Sequence, residues 1–258
     1  MPALRNAFRN TLNLSSLHQK WWWNDPDCLL VREKGSKLTE AEVQSAVTLV
    51  GLSGGMLILS DDLQRVSPER LKWVSKLTPN LNLCGLPLDL LDNEMPQVYR
   101  VELEHAGTVW QLVGIFNWID KPADLHLIFS LFDYPSGAKL HVFDFWEERY
   151  QQTGAKELVF HAVPAHGCKL LRLCEVQGTP QVVGDTIHIS MGAEIKSLRI
   201  ADSSVNIETI GLGRRVEGMV WVWTGKKVVE VAVREDYEST PLKSVDDYAA
   251  GRFKLNSE

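Results

Sequence analysis

The sequence is poor in cysteine. Four among 258 residues are too few to staple a chain of this length, so a disulfide scaffold is excluded and reduced thiols in a cytoplasm are the expectation. An excess of positive charge is missing too: 27 Lys and Arg stand against 33 Asp and Glu, a formal net charge of −6. No basic surface is available to hold nucleic acid or an anionic membrane by charge, so neither is an expected partner. No uninterrupted apolar run approaches membrane-spanning length. The opening Met1-Pro2-Ala3-Leu4-Arg5-Asn6 leads into no apolar signal core. Internal repeats are absent. What remains is the composition of a soluble globular protein, 45% hydrophobic and 23% charged, long enough for one large domain or two smaller ones. Tryptophan is plentiful at nine residues, and large aromatic faces serve both cores and stacking on sugars.

Two regions differ in rhythm. From Leu4 to Leu17, apolar Leu4, Ala7, Phe8 and Leu12 suit a helix. Trp21-Trp22-Trp23 reads as a short strand that ends at Asn24-Asp25-Pro26-Asp27, where Pro26 removes a backbone donor. Thr39 and Glu42 form a capping-box pattern ahead of Val43, Ala46, Val47 and Val50 at helical spacing, and Ser53-Gly54-Gly55 stops that helix. Met56-Leu57-Ile58-Leu59 reads as a fully buried strand ending at Ser60-Asp61-Asp62. Ser67-Pro68 starts a further helix with Leu71, Val74 and Leu77 on its apolar face. Helix, strand, helix, strand, helix is a parallel α/β pattern. From about residue 97 the rhythm changes to short strands, near 99–103, 110–116, 125–131, 139–145, 157–163, 168–174, 182–189, 205–211, 217–223 and 227–233. Turns at Pro135-Ser136-Gly137, Gly154, Gly178, Gly211-Leu212-Gly213 and Thr224-Gly225 separate them, which predicts an antiparallel β-sandwich. Residues 80–97 are the connection, and the tail after Asp236 is polar.

The most conspicuous chemistry lies in Trp23-Asn24-Asp25-Pro26-Asp27-Cys28. Two carboxylates two residues apart on a strand share one face at ~6–7 Å, near the ~5–5.5 Å at which retaining glycosidases hold their acid pair. The competing reading is that Asp25 and Asp27 accept backbone hydrogen bonds and stiffen a loop, as Asp-Pro turns do. Spacing alone favours the loop.

Three segments carry a resemblance. WWWNDPDCLLVRE over 21–33, LTEAEVQSAVTLVGLSGGMLILSDDL over 38–63 and SPERLKWVSKL over 67–77 resemble the last two strand–helix units of the catalytic barrel of α-galactosidase-type glycoside hydrolases. These are family 36 enzymes of the melibiase clan. HVFDFWEERY, VPAHGCKLL and PQVVGDTIHIS continue the resemblance in the expected order through the second region. It implies α/β followed by all-β: residues 1–90 as the C-terminal part of a (β/α)8 TIM barrel, incomplete, and residues 95–258 as a C-terminal antiparallel β-sandwich. It further implies retaining hydrolysis of terminal α-galactosides such as melibiose or raffinose, without cofactor or metal, by two Asp residues acting as nucleophile and acid/base. Their motifs, of the forms K-x-D and R-x-G-P-D-x-x-P-x-W, do not occur here, so no catalytic residue is expected in this chain. By the same resemblance Trp23, Asp27 and Cys28 belong to the galactose site, Asn24 and Asp25 brace it, and Asp61 and Asp62 are structural. The implied partner is an α-galactoside oligosaccharide once an upstream chain completes the barrel, with a homo-oligomer as the family's habit. The second function class is a non-catalytic β-sandwich that binds carbohydrate or protein, recognisable by Trp118, Trp146 or Trp223 exposed on one flat face.

Other candidates take plain readings. Phe143 and Phe145 are core, with Trp146 at the strand end, and Trp221 and Trp223 share one side of a sheet. Cys168 and Cys174, six apart, fit zinc spacing poorly and read as buried thiols. Asp185 and His188, three apart on an expected strand, point to opposite faces as a turn carboxylate and a partly buried histidine. Glu147, Glu148 and Arg149 form a solvated surface.

Overall fold

A computed structural model describes residues 2–105, 107–135, 137–201, 204–210, 216–235 and 252–254. Gly211-Leu212-Gly213, Ser136 and most of the tail after Asp236 lie outside the described residues. Three α-helices, α1 (Pro2–Asn13), α2 (Glu40–Ser53) and α3 (Pro68–Ser75), precede a run of antiparallel strands. The strands are β1 (Leu86–Pro87), β2 (Val98–His105), β3 (Thr108–Phe116), β4 (Ala123–Ile128), β5 (Leu140–Asp144), β6 (Arg149–Thr153) and β7 (Glu157–Val163). They continue as β8 (Cys168–Glu175), β9 (Gln181–Asp185), β10 (Ile195–Ala201), β11 (Ser204–Ile210), β12 (Val216–Trp223), β13 (Val228–Glu235) and β14 (Arg252–Lys254). The chain gathers into two compact units: Met1–Glu102, Gln111–Ala138 and Gly154–Leu171, and then Leu103–Trp110, Lys139–Thr153 and Arg172–Glu258.

In the first unit α2 is the organising element. Its capping box forms as the sequence predicts: Glu42 N donates to Thr39 Oγ1 at 3.2 Å and Glu42 Oε2 accepts from Thr39 N at 2.8 Å. It ends at Gly54 in the left-handed region (φ 63°), where a Cβ would sit 2.5 Å from Leu83 O. From Ser45 to Ser53 every residue is buried, so α2 is covered all round rather than on one face. Its polar side chains are tied: Ser45 Oγ donates to His166 O at 2.7 Å, and the Cys168 thiol donates to Thr48 Oγ1 at 3.4 Å. In this unit β1, β2, β3 and β8 run side by side, and β4 pairs with β7 with a bulge between Ala123 and Leu125. The alternation read through Leu131 stops at Ile128, where Phe129–Leu131 turn as a short tight helix.

The two strands expected before residue 60 are not there. Trp21–Trp23 and Met56–Leu59 form only isolated parallel bridges, His18 with Trp22 and Leu29 with Leu59. Leu29 N donates to Ile58 O at 2.8 Å and Ser60 N to Leu29 O at 3.2 Å, and the ladder goes no further. The expectation of full burial for residues 56–59 is likewise corrected, because Met56 is 47% and Ile58 38% exposed. A parallel strand is stabilised by neighbours on both edges and cover on both faces, and these segments have one neighbour each.

In the second unit β13, β12 and β9 form one sheet, β10, β11 and β14 another, and β8, β5 and β6 lie in sequence. Ile187, Ile195, Ile207, Val220, Val222 and Val233 make a buried cluster. Phe143 and Phe145 are buried, as read from the sequence, and so is Trp221. Strands β6 and β10 were not expected. Arg-Tyr-Gln-Gln-Thr in β6 is polar throughout, and a register shift between Ile195 and Ser197 breaks the alternation of β10.

Strand β9 stops at Asp185, short of the expected 189, for an electrostatic reason. Asp185 Oδ1 accepts from Ile187 N at 2.8 Å and His188 N at 3.2 Å, which turns the chain. Asp185 and His188 are therefore not on opposite faces of a strand. Both are buried, with Ser190 and Glu194. Ser190 Oγ donates to Glu194 Oε2 at 2.6 Å and lies 3.0 Å from His188 Nδ1. Asp185 Oδ2 and Glu194 Oε1 are buried acceptors with no donor from any other group. A proton held on Asp185 reconciles them. Burial first, then the Glu194 charge and its hydrogen bond, push the Asp185 pKa well above the usual carboxylate range.

The native state thus holds this proton more tightly than the unfolded chain, so the pair's contribution to stability falls as pH rises above ~3.9. Asp185→Asn keeps the turn acceptor and offers Glu194 a permanent donor. Thermal melts from pH 4 to 8 are expected to show a flatter profile for this variant, whereas Asp185→Ala loses ~1–3 kcal/mol at every pH. An Asn variant as pH-dependent as the parent would refute the shared proton. In the same unit a Cβ on Gly184 would lie 2.2 Å from Phe143 Cγ. Gly184→Ala is expected to cost ~1–3 kcal/mol in urea denaturation through overpacking.

Candidate functional site

The residues singled out from the sequence share one loop in the first unit. Asn24 is its buried anchor. Its backbone N–H donates to His18 Nδ1 at 2.9 Å, its side-chain amide donates to Leu14 O at 3.3 Å, and its Oδ1 accepts from Trp22 Nε1 at 2.8 Å. Its carbonyl accepts from Met56 N at 3.2 Å. Because His18 Nδ1 accepts, the ring is the neutral form with its proton on Nε2. Burial lowers the His18 pKa, and the nearby Gly54 backbone opposes that shift. The loop rests on Gly55, where a Cβ would come within 2.4 Å of Asn24 O and 3.2 Å of Pro26 Cδ. Asn80 Nδ2 donates to the Gly55 carbonyl at 2.5 Å.

Above this anchor the chain is not a strand, so the face-sharing geometry considered for Asp25 and Asp27 is replaced by a turn. Asp25 Oδ1 accepts from Asp27 N at 2.9 Å, Asp27 Oδ1 accepts from Cys28 N at 2.7 Å, and Asp27 has a left-handed φ of 74°. Short polar Asp tolerates that region because its side chain bonds locally. The loop-stiffening reading holds for both carboxylates. Trp23, Asp25 and Asp27 are exposed and Cys28 is half-buried. Trp23 stands edge-on to His18, centroids 5.3 Å apart. Trp21 and Trp22 are also exposed, at 79% and 44%. The surface so formed offers indole faces, carboxylate acceptors and a thiol, a set suited to a neutral polyhydroxylated ligand. Among the described residues the two carboxylates accept only from the backbone amides of Asp27 and Cys28.

Asp61 and Asp62 are structural, as the resemblance implies. The Asp61 side chain is fully buried, accepting from Val31 N at 2.5 Å, Arg32 N at 3.0 Å and the Arg32 guanidinium at 2.7 Å. Asp62 caps the turn at Leu63–Arg65. Cys168 and Cys174 are buried thiols outside any disulfide, and burial pushes the Cys174 pKa up. Among the described residues no three His, Cys, Asp or Glu are placed to hold a metal, and no helix is long and apolar enough to cross a membrane. Sequence reading missed the second unit's cavity beside Arg172. A lone Arg inside the apolar Leu-Leu-Arg-Leu-Cys of β8 was the available signal.

Comparison with known proteins bears on the β-region. Residues 96–173 match the family described as the α-galactosidase C-terminal β-sandwich domain. Among solved structures, a Bacteroides fragilis protein assigned as an α-galactosidase/melibiase superposes with a TM-score of 0.51 at 18% identity, over 66% of this chain and 38% of its own. The α-galactosidase of Saccharomyces cerevisiae gives 0.51 at 14% identity, over 67% and 51%. The same enzyme with raffinose gives 0.50 at 14%, again over 67% and 51%. This chain therefore spans between about two-fifths and half of those structures, and at such identities the likeness is one of fold. Residues 96–173 are thus similar to the α-galactosidase C-terminal β-sandwich domain, the kind of domain that the sequence motifs anticipated for this part of the chain.

Proposed function

We propose that the chain is the C-terminal portion of a retaining, family 36-type α-galactosidase-like hydrolase acting on terminal α-galactosides such as melibiose and raffinose. Residues 1–90 are read as the last two strand–helix units of its barrel and residues 95–258 as its C-terminal β-domain. The observation that carries this reading is the contrast between helices and strands in the first unit. The three helices are well formed, yet among the described residues the segments between them share a single β-bridge, Leu29 with Leu59, in parallel. Trp21, Trp22, Trp23, Met56, Ile58 and Leu63 are left exposed beside them. A (β/α)8 barrel fills its interior with side chains from every strand, so two isolated strand segments with uncovered apolar residues are what a partial barrel presents. Companion strands on another polypeptide segment would extend the bridge into a ladder.

In the completed site Trp23 offers its indole to the apolar face of a galactose ring, and Asp27 accepts hydroxyl hydrogen bonds beside Cys28. Asn24 and Asp25 hold the loop. The nucleophile and the acid/base come from outside these 258 residues, and the acceptor is water or a second sugar. No cofactor enters. A cytoplasmic homo-oligomer is part of the same reading. The solved yeast α-galactosidase with raffinose supports the substrate class. The second reading, a stacking module, is weakened by its own criterion. Trp118 is 9% exposed and stacked on Phe116 at 4.7 Å, while Trp146 and Trp223 are half-buried.

Hydrolysis of a nitrophenyl α-galactoside tests the proposal. The chain alone is expected to show no turnover. Co-expression with the missing barrel units is expected to restore it, and Asp27→Ala then to lower kcat/KM by about tenfold or more, the loss of one charged hydrogen bond. Turnover by the chain alone that Asp27→Ala abolishes would mean that Asp25 and Asp27 themselves do the chemistry.

A further inference from the structure

A cavity of about 300 Å³ opens in the second unit, lined by His105, Thr108, Trp110, Arg172 and Lys196 among others, with no Asp or Glu in its wall. Arg172 is its unusual member. It is 1% exposed, a degree of burial that an arginine reaches almost only when paired. Its guanidinium sits over the Trp110 ring, Cζ 4.3 Å from the centroid. Trp110 is itself fixed by donating Nε1–H to Ser190 O at 2.9 Å. One terminal nitrogen donates to Met191 O and the other to Val182 O at 2.7 Å. Both acceptors are neutral carbonyls, and among the described residues no carboxylate forms an ion pair with it. Nε finds no oxygen acceptor, and His105 Nε2 is a second buried nitrogen of the same wall without a partner. Gly192 makes the arrangement possible: a Cβ there would come within 2.3 Å of an Arg172 terminal nitrogen.

A guanidinium carries five N–H donors, of which carbonyls take two here. The surroundings thus solve the arginine's orientation but not its charge. A buried cation left without a counter-charge is costly, and the lining supplies none. Lys196 does not change this balance, because Glu208 neutralises it at 2.7 Å.

We infer that this cavity is a binding site for a small oxyanion, a phosphate, sulfate or carboxylate group, held by the buried Arg172 guanidinium with His105 as second donor. The anion supplies the missing charge and two or more acceptor oxygens in the geometry that a guanidinium fork matches. Its volume admits a free ion or the charged end of a small phosphorylated or acidic sugar, and little more. This inference is independent of the galactose-site reading, since it concerns other residues and a charged ligand.

Thermal melts of the full chain in sodium phosphate, against sodium chloride at matched ionic strength, test it. Phosphate is expected to raise the melting temperature in a saturable way beyond the chloride control. Arg172→Gln is expected to abolish the increment and His105→Ala to weaken the apparent affinity about tenfold. Galacturonate and galactose serve as parallel arms. A shift with the acid but not the neutral sugar extends the site to a sugar-borne carboxylate, whereas a shift with galactose and none with phosphate overturns the inference. So does an increment no larger than that of chloride, or one undiminished in the folded variants. Should Arg172→Gln fail to fold, isothermal titration of phosphate into the parent and His105→Ala decides, equal affinities counting against the site.

Discussion

One buried carboxylate sets the geometry of the first unit's loop region. Asp61 receives two backbone amides and a guanidinium from Val31 and Arg32, and so pins the segment after Cys28 beside the segment after Gly55. The bridge between Leu29 and Leu59 forms within that clasp, and the Asn24 loop then settles on the unsubstituted Gly55 backbone. Each further contact is short-range and polar: Asn24 to His18, Leu14 and Trp22, Asp25 to Asp27, Asp27 to Cys28. The loop therefore keeps its shape through hydrogen bonds in a place where sheet structure is nearly absent. Preorganisation by such bonds leaves Trp23 and both carboxylates facing solvent.

Local chemistry was the legible part of this protein. The capping box at Thr39, the helix stop at Gly54, the cap at Ser67 and the alternation of β2 follow from the preferences of a few neighbouring residues. What the sequence concealed depends on distant partners. Met56–Leu59 is as apolar as a buried strand, yet strand formation needs adjacent strands, and propensity does not supply them. Strand β6 is polar yet pairs along its whole length with β5, Asp144 to Arg149 through Leu140 to Thr153. Asp185 carried the signal of a turn. Its partnership with Glu194, nine residues on, did not, because the chain between them follows no regular period. The loop over residues 23–28 stood out by its motif, while its conformation was open between strand and turn until the hydrogen bonds were seen.

The second unit places polar groups where apolar ones would pack more simply. Asp185, His188, Ser190 and Glu194 are buried, as are Arg172 and Gln181. Burying such groups gains little stability over well-packed hydrophobic residues, and each partner lost is expensive. Their arrangement nevertheless fixes the turn after β9 and the ring of Trp110 in single orientations. Gly184 and Gly192 sit where Phe143 and Arg172 press against the backbone, so the same region is constrained sterically as well as electrostatically.

The three adjacent tryptophans give the chain an optical property of its own. Indole emission shifts with the polarity around the ring, and Trp21, Trp22 and Trp23 are exposed while Trp110 and Trp221 are almost fully enclosed. The chain's fluorescence is thus a sum of a wet and a dry population. Anything that comes to lie over residues 21–23, whether protein segment or sugar, draws light from the wet population into the dry one, and the molecule carries its own gauge of how far that surface is covered.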